Sequence, residues 1–328
     1  AIGVSGAYNV ALGESAAFRV YATKRTRDGF NDVVTGGGPR NSEEDGTLDF
    51  HSVRAQLLLE PTDTLDINFV VDYTSREEEC CTAVTTTRGP AAAIVDALAG
   101  GRGVIAVPDP SQRLTYSNRN TTADVKDKGL SAEVNWETPW FGGATLTSVT
   151  ASRDWAAISA SDLDFSTADI WHRSFGPNSN AVEFDTFSQE FRLTGATERL
   201  DWMAGLYYSD EDLVRHDAIT MGAVYEPYLS IALLNNIAAS FPAGVVNTAG
   251  AATFLSQAAG RPYGTTFVGP GSNDVFNQNA KSTAAFTNLT FHATDALDLT
   301  LGLRYTRENK TVDAVFDRVC VGTAVKAE

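Results

Sequence analysis

The side chains best suited to bind a metal or act as a base are four histidines, and their positions do not form a site. His51, His172, His216 and His292 are far apart, and no pair has the i, i+4 spacing of a helical zinc site. Carboxylates are plentiful, but no isolated pair stands in an apolar segment where burial would separate two pKa values. No G-x-S-x-G elbow or phosphate-binding glycine motif occurs. The residues therefore predict no catalytic site, no metal site and no cofactor.

Three cysteines could do redox chemistry. Cys80 and Cys81 are adjacent in a long polar segment, and Cys320 lies near the C-terminus. Their spacing does not fit a zinc site, and three cysteines cannot all pair within one chain. A loop in an oxidising compartment permits a disulfide. The sequence leaves open whether two of the three form a disulfide or all stay free thiols.

The formal net charge is −16, and three acidic runs contribute to it: Glu43-Glu44-Asp45, Glu77-Glu78-Glu79 and Asp210-Glu211-Asp212. Nucleic acid is excluded as a partner because its phosphates would be repelled. Each run stands at or beyond the end of a predicted strand that adjoins a long connection. The runs are interpreted either as a rim that attracts cations or as solvated loop edges.

The elements that would position these residues are strands joined by connections of two alternating lengths. Tight turns are predicted at Leu12–Glu14, Pro61–Asp63, Pro139–Gly143, Ala196–Glu198 and Thr294–Ala296. The intervening connections are long, roughly 28–47, 78–122, 161–182 and 214–280. Short turns at one end and long loops at the other are typical of an antiparallel transmembrane β-barrel, with short periplasmic turns and long extracellular loops. The predicted class is therefore all-β, in the outer membrane of a Gram-negative bacterium.

The strands alternate between apolar and polar residues with period two. In one of them Ile67 and Phe69 alternate with Asp66 and Asn68, and in another Leu301 and Leu303 alternate with Thr300 and Arg304. Because a charge on the lipid face costs about 2–4 kcal/mol near the midplane, the polar set is predicted to face inward. The candidates for lumen-facing or plug-facing residues are Arg54, Glu190, Arg192 and Arg304. About ten strands are predicted, near 2–11, 15–27, 48–60, 64–77, 123–137, 144–159, 183–195, 200–213, 281–293 and 298–313.

The long connections contain three short helical patterns, Pro90–Leu98, Tyr228–Ser240 and Ala249–Ala259. All are too short to cross a bilayer as helices. The long loops are the expected place for a ligand, because they alone are exposed and large enough to enclose one.

Several motifs resemble TonB-dependent receptors, and together they cover nearly the whole chain. The strongest are Phe187–Leu193 followed by Trp202–Tyr208, and Thr294–Lys310. Weaker matches are Arg27–Phe30, Arg54–Leu57 and the Glu79-Cys80-Cys81 loop, the last of a kind found in alphaproteobacterial members. The resemblance implies a barrel of about 22 strands, filled by an N-terminal plug that carries a TonB box. It also implies outer-membrane lipid, the TonB-ExbB-ExbD complex and a small-molecule ligand as partners.

The chain is accordingly expected to be a fragment, residues 1–328 forming part of such a barrel without the plug domain or the C-terminal strands. The predicted function is energy-coupled uptake of a scarce ligand such as an iron–siderophore, haem, cobalamin or oligosaccharide. A passive outer-membrane porin is the alternative, since it shares the barrel and needs no plug. A soluble secreted β-protein is a third hypothesis, which the alternation of loop lengths disfavours.

Overall fold

The fold is described from a computed structural model, and the description covers residues 1–101, 103–237, 248–320 and 323–327. Strands dominate these residues. They are β1 (Ile2–Ala11), β2 (Ala16–Arg27), β3 (Asn31–Val34), β4 (Glu44–Asp45), β5 (Leu48–Thr62), β6 (Leu65–Glu79), β7 (Leu114–Tyr116), β8 (Thr122–Glu137), β9 (Thr145–Ser159), β10 (Ser161–Asp162), β11 (Trp171–Arg173), β12 (Asn180–Ala196), β13 (Leu200–Met221), β14 (Gly269–Thr294), β15 (Leu297–Cys320) and β16 (Thr323–Ala327). The helices are α1 (Ala92–Leu98), α2 (Tyr225–Ile237) and α3 (Thr248–Ala259).

One large antiparallel sheet contains every long strand. Its neighbours follow the order β1-β2-β5-β6-β8-β9-β12-β13-β14-β15-β16, and β11 adds to the far end of β13. A second, small sheet has the order β4-β3-β7 and is built entirely from residues of the long connections. Within the described ranges no ladder joins β1 to β15 or β16, so the large sheet is open. The ten predicted strands are confirmed as the ten longest strands of this sheet.

The predicted connection between residues 214 and 280 is too long. β13 continues to Met221 and β14 begins at Gly269, so these two strands form a hairpin arm that extends well past the predicted strand ends. Most of the extra residues of β14, such as Asn273 and Asn277, are polar, and the apolar Val275 and Phe276 are adjacent, so there is no apolar alternation. These residues are extended because all but Gly271 pair with a residue of β13, and backbone pairing does not require an apolar side chain.

The tight turns lie at the other end of the sheet, as predicted, with one correction. Pro61 belongs to β5, where the register shifts between Leu59 and Thr62, and Thr62 pairs with Leu65. The turn itself is therefore at Asp63-Thr64. A proline cannot donate to a ladder, and a bulge is one of the few places within a sheet that tolerates it.

The predicted helices are present with shifted ends. α1 begins two residues after Pro90, and Gly100 and Gly101 follow it with φ of 75° and 96°. α2 begins three residues earlier than predicted, with Glu226 in its first turn, where a carboxylate is favoured by the helix dipole. Residues 238–240 of that predicted helix lie outside the described residues. No helix in the described part of the chain is long and apolar enough to cross a membrane.

The register confirms that the alternation creates two different faces. On one, here called the apolar face, Leu57 stands opposite Phe69 and Phe69 opposite Ala132, so that apolar rows run across neighbouring strands. Val71 and Leu303 on this face are 51% and 62% exposed. A contiguous apolar surface of this kind needs an apolar environment to cover it. The opposite face, here called the polar face, carries the charged residues that alternate in sequence with these apolar residues.

β9 is the strand whose alternation is weakest, and polar residues interrupt the apolar face there. Thr150 Oγ1 donates to Gln189 Oε1 at 2.5 Å, and Gln189 Nε2 donates to Ser148 Oγ at 3.0 Å. Each group satisfies its neighbour, which lowers the cost of placing it in apolar surroundings. β9 nevertheless pairs in regular register with both β8 and β12.

Candidate functional site

The candidate site is the layer formed by the four long connections, numbered 28–47, 80–121, 160–179 and 222–268 and called here the loop layer. At the other end of the sheet the connections are turns of a few residues. The loops of the layer are joined to one another by polar side chains that are buried or half-buried, and these contacts are called here the joints.

The first joint links loops one and two through Arg40, whose side chain is completely buried. Its guanidinium donates to Thr121 Oγ1 at 2.8 Å and to Asp45 Oδ1 at 3.3 Å, and Glu79 lies 3.9 Å away. Thr121 Oγ1 donates in turn to Asp45 Oδ1 at 2.8 Å. A buried charge is tolerated when it is paired and hydrogen-bonded in this way. Asp45, 1% exposed, therefore belongs neither to a cation-attracting rim nor to a solvated loop edge, and both interpretations of the first acidic run are wrong for this residue.

The second joint links loops two and three through Asp162, which is 1% exposed. Its carboxylate accepts hydrogen bonds from Ser117 Oγ at 2.8 Å and from the Asn118 backbone N–H at 3.0 Å. Asp164, two residues further, accepts from the backbone N–H groups of Ile170 and Trp171 at 3.2 and 3.1 Å. These bonds fix the path of loop three around the two carboxylates.

The third joint links loops two, three and four through Asp169. Arg119 Nη2 donates to its Oδ1 at 2.6 Å, and the backbone N–H of Ala223 donates to its Oδ2 at 3.0 Å. Gly222 closes the contact, since a Cβ atom there would lie 2.1 Å from the Asp169 carbonyl oxygen. The imidazole of His172 is buried nearby, with Nδ1 at 3.9 Å from Asp169.

The electrostatics of these groups differ. Burial raises the pKa of Asp162, and burial together with the charge of Asp162 raises the pKa of Asp164 to about 7. At Asp169 burial acts in the same direction, but the hydrogen bonds from Ala223 and Arg119 outweigh it and hold the pKa of that carboxyl below its usual value. Burial, aided by the charge of Arg119, lowers the pKa of His172, so this side chain is neutral at pH 7. Asp169 has an arginine counter-ion, whereas among the described residues the pair Asp162 and Asp164 has hydrogen bonds but no counter-ion.

An open cavity of about 350 Å³ lies where α1, loop three and α2 meet, and it is called here the aromatic pocket. Three of its walls are the rings of Trp171, Tyr225 and Tyr228. The ring centroids of Trp171 and Tyr225 are 6.1 Å apart. Aliphatic side chains from α1, loop three and α2 complete the lining, and Asp164 is the one charged residue in it. The pocket can therefore hold an apolar body that carries one polar group.

α2 is held in the layer by a buried carboxylate. Glu226 is fully buried, and its Oε2 accepts from the Thr266 backbone N–H at 3.2 Å. Ser230, one turn later and also fully buried, donates to Tyr263 Oη at 2.8 Å. These contacts fasten the start of α2, which bears Tyr225 and Tyr228, to residues 263–267. The position of two pocket walls thus depends on contacts made within loop four.

The four charged residues predicted for the interior all lie on the polar face. Arg192 pairs with Glu190 at 3.0 Å between Nε and Oε1. Arg304 lies over the rings of Phe286 and Tyr207, at 5.4 and 5.8 Å from their centroids. Arg54 is exposed and stands opposite Asp72 in the neighbouring strand. The structure brings Glu190 and Arg192 together but places Arg54 several strands away. Their contact with a lumen or plug remains a prediction.

A further group on the polar face was not predicted. Arg153 reaches across β8 to Asp72, with 3.0 Å between Nη2 and Oδ1, and it also pairs with Asp127. Gly129 stands between them, and a Cβ atom there would lie 2.6 Å from Arg153 Nη2. The sequence signal is a glycine inside a strand, which often marks the close approach of another group. The buried residues Arg40 and Asp162 and the half-buried Asp169 were also missed, and no local sequence pattern indicates them.

Cys80 and Cys81 form a disulfide with each other. This is one of the pairings that the sequence leaves open, and the side chain of Cys320 lies outside the described residues. The disulfide is adjacent to the first joint: the Cys80 N–H donates to the Thr121 carbonyl at 3.0 Å and the Thr82 N–H to Asp45 Oδ2 at 3.0 Å. In the described ranges no group of three or more acidic, histidine or cysteine residues is arranged to hold a metal ion.

Comparison with known proteins identifies the fold but no sequence relative. No family model matches the chain, and no curated protein sequence matches it. Among solved structures, the ferric yersiniabactin uptake receptor of Yersinia pestis matches 99% of this chain with a TM-score of 0.61 and 12% identity. The ferric-catecholate import receptor of Escherichia coli matches 98% of it with a TM-score of 0.54 and 10% identity. A mutant of the ferric enterobactin receptor of Pseudomonas aeruginosa matches 96% of this chain with a TM-score of 0.50 and 11% identity.

The chain spans 41%, 44% and 38% of the length of those three receptors. At these identities the similarity shows the fold, which is that of part of the barrel of outer-membrane siderophore receptors. The predicted fold class is confirmed, and so is the resemblance to TonB-dependent receptors at the level of fold. All three of these neighbours are receptors.

Proposed function

We propose that this chain is part of an outer-membrane receptor that captures a scarce ligand in its loop layer and imports it by TonB-dependent coupling. The observation that carries the proposal is the construction of the loop layer. Four loops that come from different parts of the chain are joined by polar contacts at Arg40 and Asp162, which are buried, and at Asp169, which is half-buried. Such a layer presents a fixed surface, which is what binding of a specific ligand requires.

The ligand class proposed is a ferric siderophore or a chemically similar nutrient, since the structural neighbours are named for ferric siderophores. The domain assignment belongs to the same proposal: residues 1–328 form part of the receptor barrel, and a plug domain carrying the TonB box belongs to the complete receptor. Coupling through the plug to TonB-ExbB-ExbD would supply the energy for import. The polar-face residues Arg54, Glu190, Arg192 and Arg304 are the proposed contacts with the plug.

A passive porin is the second candidate, and the loop layer disfavours it. Diffusion requires an open path, whereas joined loops with helices α1 and α2 packed among them cover the end of the sheet. A porin would also need no ligand pocket.

Uptake by cells separates the two candidates. We expect import of the ligand to stop when TonB is deleted or the proton gradient is collapsed, while binding at the cell surface persists. Import that continues unchanged without TonB and rises linearly with external concentration would identify a porin.

Orientation is tested by labelling single cysteines in intact cells, in a background where the native cysteines are replaced by serine. Cysteine at Gly37 or Pro177, both in the loop layer, should react with an impermeant reagent from outside. Cysteine at Asp63 or Thr197, both in turns, should react only after the outer membrane is permeabilised. The reverse pattern would overturn the orientation.

A further inference from the structure

We propose that the aromatic pocket binds an organic cation, an ammonium or guanidinium group on an apolar body, and does not bind an anionic iron chelate directly. The inference deepens the proposed receptor function and rests on it for the place of this step in uptake. It identifies which part of a ligand the pocket receives and which residues recognise it.

The charges around the pocket favour a cation over an anion. Asp164 is the single charged residue of the lining, and Asp162 lies immediately behind it, 1% exposed. Among the described residues no lysine or arginine forms an ion pair with either carboxylate, and Arg119 of the third joint is bonded to Asp169. Asp162 is buried and Asp164 is half-buried, and both are held by hydrogen bonds without a counter-ion. A cationic ligand would supply the missing counter-charge.

The walls of the pocket are suited to the same ligand. Trp171 is 39% exposed, so its ring is available to a ligand, and Tyr225 and Tyr228 flank it. Aromatic faces attract ammonium and guanidinium groups, most strongly where water is excluded. An anionic group would meet the opposite situation, since it would approach a carboxylate pair in a chain of net charge −16.

The titration of Asp164 should make the affinity of the pocket for a cation depend on pH. Burial and the neighbouring Asp162 raise the pKa of Asp164 to about 7, so this group changes charge near neutrality. The other titratable or charged groups of the elements that line the pocket are Asp162, Asp169, His172 and Arg173 in loop three, Asp96 in α1, and Tyr225, Glu226 and Tyr228 in α2; Arg119 of loop two is bonded to Asp169. A cation prefers the ionised carboxylate, so its affinity should increase about tenfold between about pH 6 and pH 8.

The test uses phenyltrimethylammonium as the probe and its neutral isostere tert-butylbenzene as the matched ligand. Binding to the protein purified in a neutral detergent is measured by calorimetry and by quenching of tryptophan fluorescence. We expect the cation to bind about tenfold more tightly than the isostere. Benzoate, an anion of similar size, should bind more weakly than both.

Three variants locate the interaction. Asp164→Asn should reduce the affinity for the cation about tenfold and remove its dependence on pH. Trp171→Leu should weaken binding about fivefold and leave the pH dependence in place. Glu43→Gln, which removes an exposed carboxylate of the same layer, should change neither. If Asp164→Asn does not fold, Trp171→Leu and the pH dependence of the unmodified protein still decide the question.

Equal binding of cation and isostere, tighter binding of benzoate, or a cation affinity that is unchanged in folded Asp164→Asn would overturn the inference. Its failure can be told apart from failure of the proposed function. If uptake depends on TonB but is unchanged in the pocket variants, the receptor function stands and the cation inference fails. If the pocket binds the cation but uptake does not depend on TonB, the cation inference stands and the receptor function fails.

Discussion

The two ends of the sheet are built from different kinds of contact. At the turn end, Thr197 Oγ1 accepts from the Leu200 N–H at 3.1 Å, three residues along the chain. In the loop layer, Arg40 bonds to Thr121 across 81 residues and Arg119 bonds to Asp169 across 50 residues. A turn of the first kind depends on its own residues, whereas each loop of the second kind depends on its neighbours. Changes in the loop layer should therefore spread between loops, and changes at the turns should stay local.

The largest effect that would reveal this difference is expected from Arg40→Met. The change leaves Asp45 buried without its counter-ion, which should cost about 3–5 kcal/mol of loop-layer stability. Hydrogen exchange should accelerate in residues 28–47 and in 80–121 together, while the strands β12 to β15 keep their protection. Arg261→Met, at an exposed position of the same layer, is the control and should change little. Acceleration confined to 28–47 would show that the loops are independent.

A charge placed on the apolar face tests whether the two faces of the sheet are assigned correctly. Phe69→Arg places a charge in the apolar rows and should cost about 2–4 kcal/mol if that face meets lipid near the midplane. Asn68→Arg, one residue away on the polar face, should cost far less. Urea titration of the protein refolded into lipid vesicles measures both. Equal destabilisation by the two changes would mean that the faces are assigned wrongly.

The same glycine-to-alanine change at each region sharpens the comparison further. At Gly38 a Cβ atom would lie 2.4 Å from the Asn118 carbonyl oxygen, a backbone atom of loop two that cannot move alone. Gly38→Ala should cost about 1–3 kcal/mol through overpacking. At Gly129 the Cβ atom meets the end of the flexible Arg153 side chain, so Gly129→Ala should cost at most about 1 kcal/mol.

Chemical denaturation and hydrogen exchange on the two glycine variants provide the measurement. Gly38→Ala should also accelerate exchange in loop two around Asn118, which Gly129→Ala should leave unchanged. A larger loss from Gly129→Ala than from Gly38→Ala would contradict the distinction between loop layer and sheet.

The smallest effect is expected for an exposed ion pair of the sheet. Lys128 and Asp154 are 3.4 Å apart, and their side chains are 63% and 53% exposed. Lys128→Ala should change stability by no more than about 0.5 kcal/mol, because water and salt screen exposed pairs. Lys310→Ala, at an exposed residue of β15, serves as the matched control in the same urea titration. A loss of stability comparable to that of Arg40→Met would show that the exposure of an ion pair does not predict its contribution to stability in this protein.

Much of the sheet could be predicted because its signals are local. The alternation around Ile67 and Phe69 fixes which residues share a face, and turn residues such as Thr197 fix where a strand reverses. The prediction was wrong where pairing continues without an apolar pattern, as in the arm formed by β13 and β14. There the ladder itself provides the stabilisation, and the partner strand is about 60 residues away in sequence.

The sequence by itself determined the fold class, the number of long strands and the two faces, because side chains in a strand alternate with a fixed period of two. It also placed Arg54, Glu190, Arg192 and Arg304 on one face by the same rule. It did not determine which of them meet, since that depends on the register of several strands.

Only the tertiary structure decided the loop layer. In the sequence Arg40 and Asp45 resemble ordinary charged residues of a loop, and Asp45 stands within an acidic run. Both are nevertheless buried, because Thr121 and its neighbours from another loop enclose them. The aromatic pocket likewise combines Trp171 of loop three with Tyr225 of loop four. Burial is a property of the surroundings, and these surroundings come from segments that no local pattern connects.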